Sequence, residues 1–133
     1  QEESRRQPSP YQALMLGMHC RDRAKLYDRV NLRVEKMLEA GLLEETKKLL
    51  EMGFTGTARQ AIGYKELLPY LEGTLPLEAC VEILKQESRR YAKRQLTWFR
   101  RNGKIQWIYR DDYENPQEIY KTAYDTIDFA NLL

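Results

Sequence analysis

Residues 11–20, YQALMLGMHC, form a near-continuous apolar run of strand length. A strand with one wet face alternates apolar and polar residues. An unbroken run suits a strand buried on both faces, as in a parallel sheet. Such a strand needs a hydrogen-bonded neighbour on each edge, and this demand constrains the rest of the chain. Only KIQWIY at 104–109 also reads as a strand. Two strands alone make a marginal sheet. The expected fold class is therefore α/β and mostly helical, with about five helices and two strands. The simplest completion of the sheet is a missing N-terminal part. The opening QEESRRQPSP (1–10) is polar, starts with Gln1 rather than Met, and reads as a linker within something longer.

The helices follow from periodicity and punctuation. Asp22 is placed as an N-cap, and Leu26, Val30, Val34, Met37 and Leu38 recur at helical spacing up to Gly41. Leu42 to Met52 predicts a shorter helix closed by Gly53. Residues 58–72 predict a helix capped by Thr57, kinked or shortened by Pro69 and stopped by Gly73. Pro76 opens a long helix to about Arg101, ended by Asn102-Gly103. Residues 115–133 predict a last helix with Pro116 at its start.

On a helical wheel of residues 77–101, Leu77, Val81, Leu84, Tyr91, Trp98 and Phe99 fall on one side. Lys85, Arg89, Arg90, Lys93, Arg94, Arg100 and Arg101 fall on the other. The aromatics are expected to anchor the helix and the cations to form a stripe about 24 Å long. The chain carries a net charge of only +2, yet between Lys85 and Lys104 eight cations face one acid, Glu87. Exposed helices usually mix signs. One-signed repulsion is relieved by a polyanion, so nucleic acid or another polyphosphate is the expected partner. The segment from Asp111 to Asp128 has the opposite balance, six acids against Lys121.

Arg33 projects among Leu26, Val30 and Met37 on the first helix. A cation there is costly unless paired. Two readings stand: a structural salt bridge, or an anchor for a bound anion; Arg29, one turn earlier near the same edge, fits either. The planar guanidinium suits phosphate because it donates two hydrogen bonds at once.

Other chemistries lack their residues. There is no Gly-x4-Gly-Lys-Ser/Thr loop, no nucleophile–base set and no metal-ligand spacing. His19, the only histidine, lies in the apolar run and reads as structural. Cys20 and Cys80 read as reduced thiols of a cytoplasmic protein. No apolar run reaches the roughly 20 residues of a membrane span.

Two long stretches then carry a family likeness: RQAIGYKELLPYLEG (59–73) and ESRRYAKRQLTWFRR (87–101). LYDRVNLRVEKMLEAGLLEE (26–45) adds a third, with PSPY (8–11) and the strand beside it. Over about residues 8–109 the chain resembles the C-terminal portion of the tRNA dimethylallyltransferase, or tRNA isopentenyltransferase, family. The tail from Asp111 is undistinctive.

The resemblance implies a nucleotide-binding type of P-loop α/β core with an inserted helical domain. Residues 1–10 would be a linker from that insert, and residues 11–133 the C-terminal part of the catalytic and tRNA-binding core. The implied reaction moves a dimethylallyl group from dimethylallyl diphosphate to N6 of the adenosine 3′ of the anticodon, with Mg²⁺ assisting at the diphosphate. The implied phosphate loop and general-base aspartate lie in an N-terminal half that this sequence lacks. No catalytic or metal-binding residue is therefore expected here, and the fragment alone is expected to be inactive. The intact enzyme is expected to be a cytoplasmic monomer without membrane contact that binds a tRNA anticodon stem-loop and an isoprenoid diphosphate.

By the same resemblance, Arg33 contacts the donor diphosphate. Gln60, Ala61, Ile62, Gly63, Tyr64 and Lys65 form one tRNA-contacting segment. Ser88, Arg89, Arg90, Tyr91, Ala92, Lys93, Arg94 and Gln95 form another. Tyr91 is expected to pack rather than stack on a base. Gly63 has two open readings, close backbone approach to RNA or helix–helix packing. The alternative functions are a free-standing helical RNA-binding module without chemistry and a helix-turn-helix DNA binder. The latter is disfavoured because a reading helix is normally shorter and follows a tight turn.

Overall fold

In the computed structural model, which describes residues 9–130, the apolar run condenses into a short strand, β1 (Met15–His19). It pairs in parallel with β2 (Ile105–Tyr109), in register from Met15 opposite Ile105 to His19 opposite Tyr109. The linker reading of residues 1–10 lies almost wholly outside the described residues. Among the described residues these are the only strands. The expectation of burial on both faces is corrected: Met18 is 64% exposed and Met15 is 43% exposed. Residues 15 and 18 point to opposite faces of the strand, so each face keeps an exposed methionine, while β2 covers one edge.

The described chain divides into two compact units. The first comprises the chain up to Arg21 and from Arg100 onward. Here α5 (Pro116–Phe129) lies against β2 and buries Ile119. Asn115 caps α5 in a full capping box with Glu118. The last residues of the expected helix, 131–133, lie outside the described residues. Gly17 is needed for space: a Cβ there would stand 2.7 Å from Ile105 Cγ2 and from the Trp107 ring. After β2 a single 3₁₀ turn, Arg110–Asp112, presents two carboxylates to Arg21. Its backbone N–H donates to Asp111 Oδ1 at 2.8 Å, and its Nε donates to Asp112 Oδ1 at 2.9 Å. The guanidinium carbon also sits 3.9 Å from the Tyr109 ring centre. The acids at 111 and 112 are thus partly consumed in closing this unit.

The second unit, Asp22–Phe99, is helical. Asp22 caps α1 (Arg23–Glu39) by accepting the Ala24 N–H. Gly41 turns the chain into α2 (Leu42–Glu51), which Gly53 follows at φ +74°. The helix expected over 58–72 does not form as one piece. A 3₁₀ turn at Ala58–Gln60 is followed by turns and then by the four-residue α3 (Leu68–Leu71). Gly63 breaks the helix with φ +110°, a conformation few side chains tolerate. Thr57 makes no side-chain cap, and Pro69 sits in the first turn of α3, where its missing N–H costs nothing. The long helix α4 (Leu77–Phe99) forms as expected. Val34, Leu42, Leu67, Cys80 and Leu84 make the core of the unit. Full burial of an aliphatic side chain such as Leu67 or Leu84 stabilises by about 1.5–3 kcal/mol. Cys20 and Cys80 are both buried.

Candidate nucleic-acid interface

The buried residues of α4, Cys80 and Leu84, lie in its first half. Beyond them Ser88, Ala92 and Leu96 continue the inward strip at intervals of four, only half-buried. This narrow strip overturns the expected anchoring role of the aromatics. Tyr91 is 47% exposed, Trp98 66% and Phe99 42%. Within this unit the packed core ends before they begin. Trp98 and Phe99 instead meet edge to face at 5.0 Å. Tyr91 does not pack inward as expected; the Arg94 guanidinium lies 5.9 Å from its ring centre.

The stripe of cations is also divided. Lys85 Nζ donates to Glu35 Oε1 at 2.8 Å, and Arg89 Nη1 donates to Asn31 Oδ1 at 2.7 Å. Both acceptors are on α1, so these two cations face a neighbouring helix. The pairs descend α1 as they ascend α4, which makes the two helices antiparallel. The Lys85 pKa is raised above its ordinary value, first by the hydrogen bond to Glu35 and against the opposing effect of burial. Arg90 pairs along its own helix with Glu87 at 2.6 Å. Among the described residues, Lys93 and Arg94 have no carboxylate partner and are exposed, as is Gln95. Arg100 and Arg101 are exposed in the other unit. The freely available positive charge of α4 is therefore concentrated in its last turns.

The second predicted segment, residues 60–65, is a turn rather than a helix face. Gln60 is exposed and Ala61 half-buried, while Ile62 and Tyr64 pack on the core and Gly63 is buried. The Tyr64 hydroxyl donates to Glu45 Oε1, and its ring meets Phe54 edge-on at 6.0 Å. That hydrogen bond, reinforced by burial, raises the Tyr64 pKa. Lys65 keeps 39% of its side chain exposed. The outward groups of the turn are thus Gln60 and Lys65. Gly63 is buried, its nearest would-be contact is Leu42 Cδ1 at 4.0 Å, and its φ of +110° serves the turn's backbone. No hydrogen bond or ion pair among the described residues joins this turn to residues 88–95.

Arg33 is exposed, which corrects the expectation of a cation forced into a buried stripe. It has no carboxylate partner among the described residues. Leu26, Val30 and Met37 line an open depression along α1 with Arg29, Arg33 and Lys36. Apolar floor and cationic rim together suit an amphipathic anion. The described residues contain no group of three His, Cys, Asp or Glu side chains able to hold a metal ion. No helix among them is long and apolar enough to cross a membrane.

Sequence reasoning missed Asn31, Glu35 and Glu66. The first two were accessible: Asn31 and Glu35 stand one turn apart on α1, as do Lys85 and Arg89 on α4. Two complementary pairs at matching spacing are the signature of facing helices.

Comparison with known proteins agrees with these features. The model of the IPP transferase family matches residues 1–102. The tRNA dimethylallyltransferase of Acetivibrio thermocellus is 49% identical over 123 residues, which cover 91% of this chain and 39% of that protein. The tRNA dimethylallyltransferase of Clostridioides difficile is 50% identical over 111 residues, covering 82% of this chain and 35% of that protein. The crystal structure of tRNA delta(2)-isopentenylpyrophosphate transferase from Staphylococcus epidermidis superimposes with a TM-score of 0.82 at 41% identity. It covers 89% of this chain and 39% of that one. The full-length tRNA isopentenylpyrophosphate transferase from Bacillus halodurans gives 0.81 at 41% identity, over 96% of this chain and 42% of that one. The chain thus spans about two-fifths of the length of the curated relatives it matches. With the family model covering three-quarters of its length and solved relatives superimposing at TM-scores above 0.8, this chain belongs to the IPP transferase family.

Proposed function

We propose that this chain serves a tRNA dimethylallyltransferase as its tRNA-holding and diphosphate-contacting part. The observation that carries this reading is the separation of two anion-seeking surfaces within one helical unit. Among the described residues Lys93 and Arg94 stand without carboxylate partners on the outer face of α4, and Arg33 stands over an apolar depression on α1. The first suits an extended polyanion and the second a small anion with an apolar tail.

In the reaction, N6 of the adenosine 3′ of the anticodon attacks C1 of dimethylallyl diphosphate. The C–N bond forms, the C–O bond breaks, and the diphosphate leaves with the bonding pair. The N6 proton passes to a base outside this chain, and a Mg²⁺ ion held by residues outside it would supply charge neutralisation at the diphosphate. The adenine must leave its stack to present N6. Lys93 and Arg94, with Gln95, grip the backbone of the anticodon stem-loop, while Gln60 and Lys65 meet it at the turn. Ser88, Ala92 and the inward Arg89 contribute by shaping α4. The cations supply affinity and register, and base identity is read elsewhere. Arg33 meets the growing negative charge on the leaving diphosphate. The bare edge of the β1–β2 pair is covered by further strands of a P-loop core, and the enzyme works as a cytoplasmic monomer.

The test separates the two surfaces in the full-length enzyme carrying this segment. Arg33→Ala raises KM for dimethylallyl diphosphate and leaves tRNA affinity in place; Lys93→Glu with Arg94→Glu does the reverse. Loss of tRNA affinity in Arg33→Ala with unmoved donor kinetics contradicts the assignment.

A further inference from the structure

Glu66 is a buried carboxylate that none of the roles above uses. Only 2% of its side chain is exposed, and Leu67 and Leu68 beside it are buried. Its Oε2 accepts the Gly63 N–H at 2.8 Å. Its Oε1 is buried without a hydrogen-bond partner. The nearest cation to that oxygen is Lys65, whose Nζ lies 3.6 Å away, beyond hydrogen-bond length.

A carboxylate in this place is expensive to desolvate. A glutamine would accept the Gly63 N–H equally well without carrying a charge. What distinguishes the carboxylate from the amide is its effect on the neighbouring ammonium. The bond to Gly63 serves the turn, and the charge serves Lys65.

We infer that Glu66 is a positioning residue for RNA binding, fixing the left-handed turn at Gly63 and holding the Lys65 ammonium at the rim of that turn. This rests on the reading of residues 60–65 as an RNA-contacting surface. At 3.6 Å Lys65 is restrained but not consumed. An RNA phosphate then gains a charge-assisted hydrogen bond from Lys65, and no existing bond to Glu66 is broken. The side chain is pre-ordered, so less rotamer freedom is lost when RNA arrives.

The test is steady-state kinetics of the full-length enzyme carrying this segment, with melting temperatures measured in parallel. Glu66→Ala is expected to raise KM for tRNA about tenfold, with kcat and KM for dimethylallyl diphosphate within about twofold. Glu66→Gln, which keeps the acceptor for Gly63 and loses the charge, is expected to raise it about threefold. In a Lys65→Ala background the cost of Glu66→Ala shrinks. Both KM values worsening in step with a fall in melting temperature overturns the inference. So does an undiminished effect in the Lys65→Ala background. If the alanine variant does not fold, Glu66→Gln decides: an unchanged KM for tRNA overturns the inference. Charge reversal at Lys65, Lys65→Glu, is the control for the underlying reading. If it too leaves KM for tRNA unchanged, the RNA surface fails and the inference with it. If it raises KM while Glu66→Ala does not, the inference alone fails.

Discussion

Arg89 Nη1 donates to Asn31 Oδ1 at 2.7 Å, so an arginine from the most basic stretch of the chain is turned onto a neighbouring helix. Together with the Lys85–Glu35 bond at 2.8 Å, this contact ties α4 to α1. Arg89→Ala is expected to cost about 1–2 kcal/mol of stability by urea unfolding, since it leaves Asn31 without its charged donor. Asn31→Ala costs less, and a double-mutant cycle gives a positive coupling energy. Lys93→Ala, one turn on and exposed, changes stability by no more than about 0.5 kcal/mol. Equal effects at Arg89 and Lys93 contradict this division of the stripe.

Two glycines fail for different reasons when replaced by alanine. Gly17→Ala forces a methyl within 2.7 Å of Ile105 and Trp107, and such overpacking costs about 1–3 kcal/mol. Gly63→Ala has room, with Leu42 at 4.0 Å, but must hold φ +110°, which costs about 1–3 kcal/mol. In an Ile105→Ala background, which lacks Cγ2, Gly17→Ala costs less, because the clash is steric. Trimming Leu42 recovers none of the second. Chemical denaturation of these variants checks the distinction.

His19 gives the first unit an acid sensitivity. Burial holds its pKa below the ordinary value, Arg100 lowers it further, and Asp111 opposes both. The unfolded chain therefore binds the proton more readily than the fold does. The contribution is present above about pH 6.5 and is lost as pH falls through the folded value. Unfolding followed by fluorescence is expected to show stability falling as the pH drops below about 6.5. His19→Gln is expected to flatten that slope. An unchanged slope in the variant assigns the effect to other groups.

Much of the fold is legible in the sequence because its signals are local. Asp22, Gly41, Gly53 and Gly73 each mark a helix boundary, and Asn115 and Pro116 open α5 as written. The segment 58–72 is misread because apolar spacing there mimics a helix. Gly63 looks like an ordinary interior glycine until its φ is known. The aromatics of α4 are misplaced for a different reason. A wheel states which residues share a side, not how far along the helix a neighbour extends, and within this unit the packed core stops near Leu84. Lys85 and Arg89 are counted as free because their partners lie fifty or more positions away. Arg33 is legible as chemically odd, yet its exposure depends on what covers that face of α1. Glu66 carries no sequence signal beyond its place after Gly63-Tyr64-Lys65. Its importance appears only with its burial.

The central claim is that the distal outer face of α4 binds RNA. The direct measurement is a titration of this chain with an anticodon stem-loop bearing adenosine 3′ of the anticodon, beside a scrambled hairpin, at low and moderate salt. The expected result is binding that weakens steeply with salt, with a log–log slope of about −2 to −3 for a few phosphate contacts. Reversing Arg90, Lys93 and Arg94 to Glu is expected to abolish it without unfolding the chain. Binding that ignores both salt and the triple reversal, or no binding by a demonstrably folded chain, contradicts the claim.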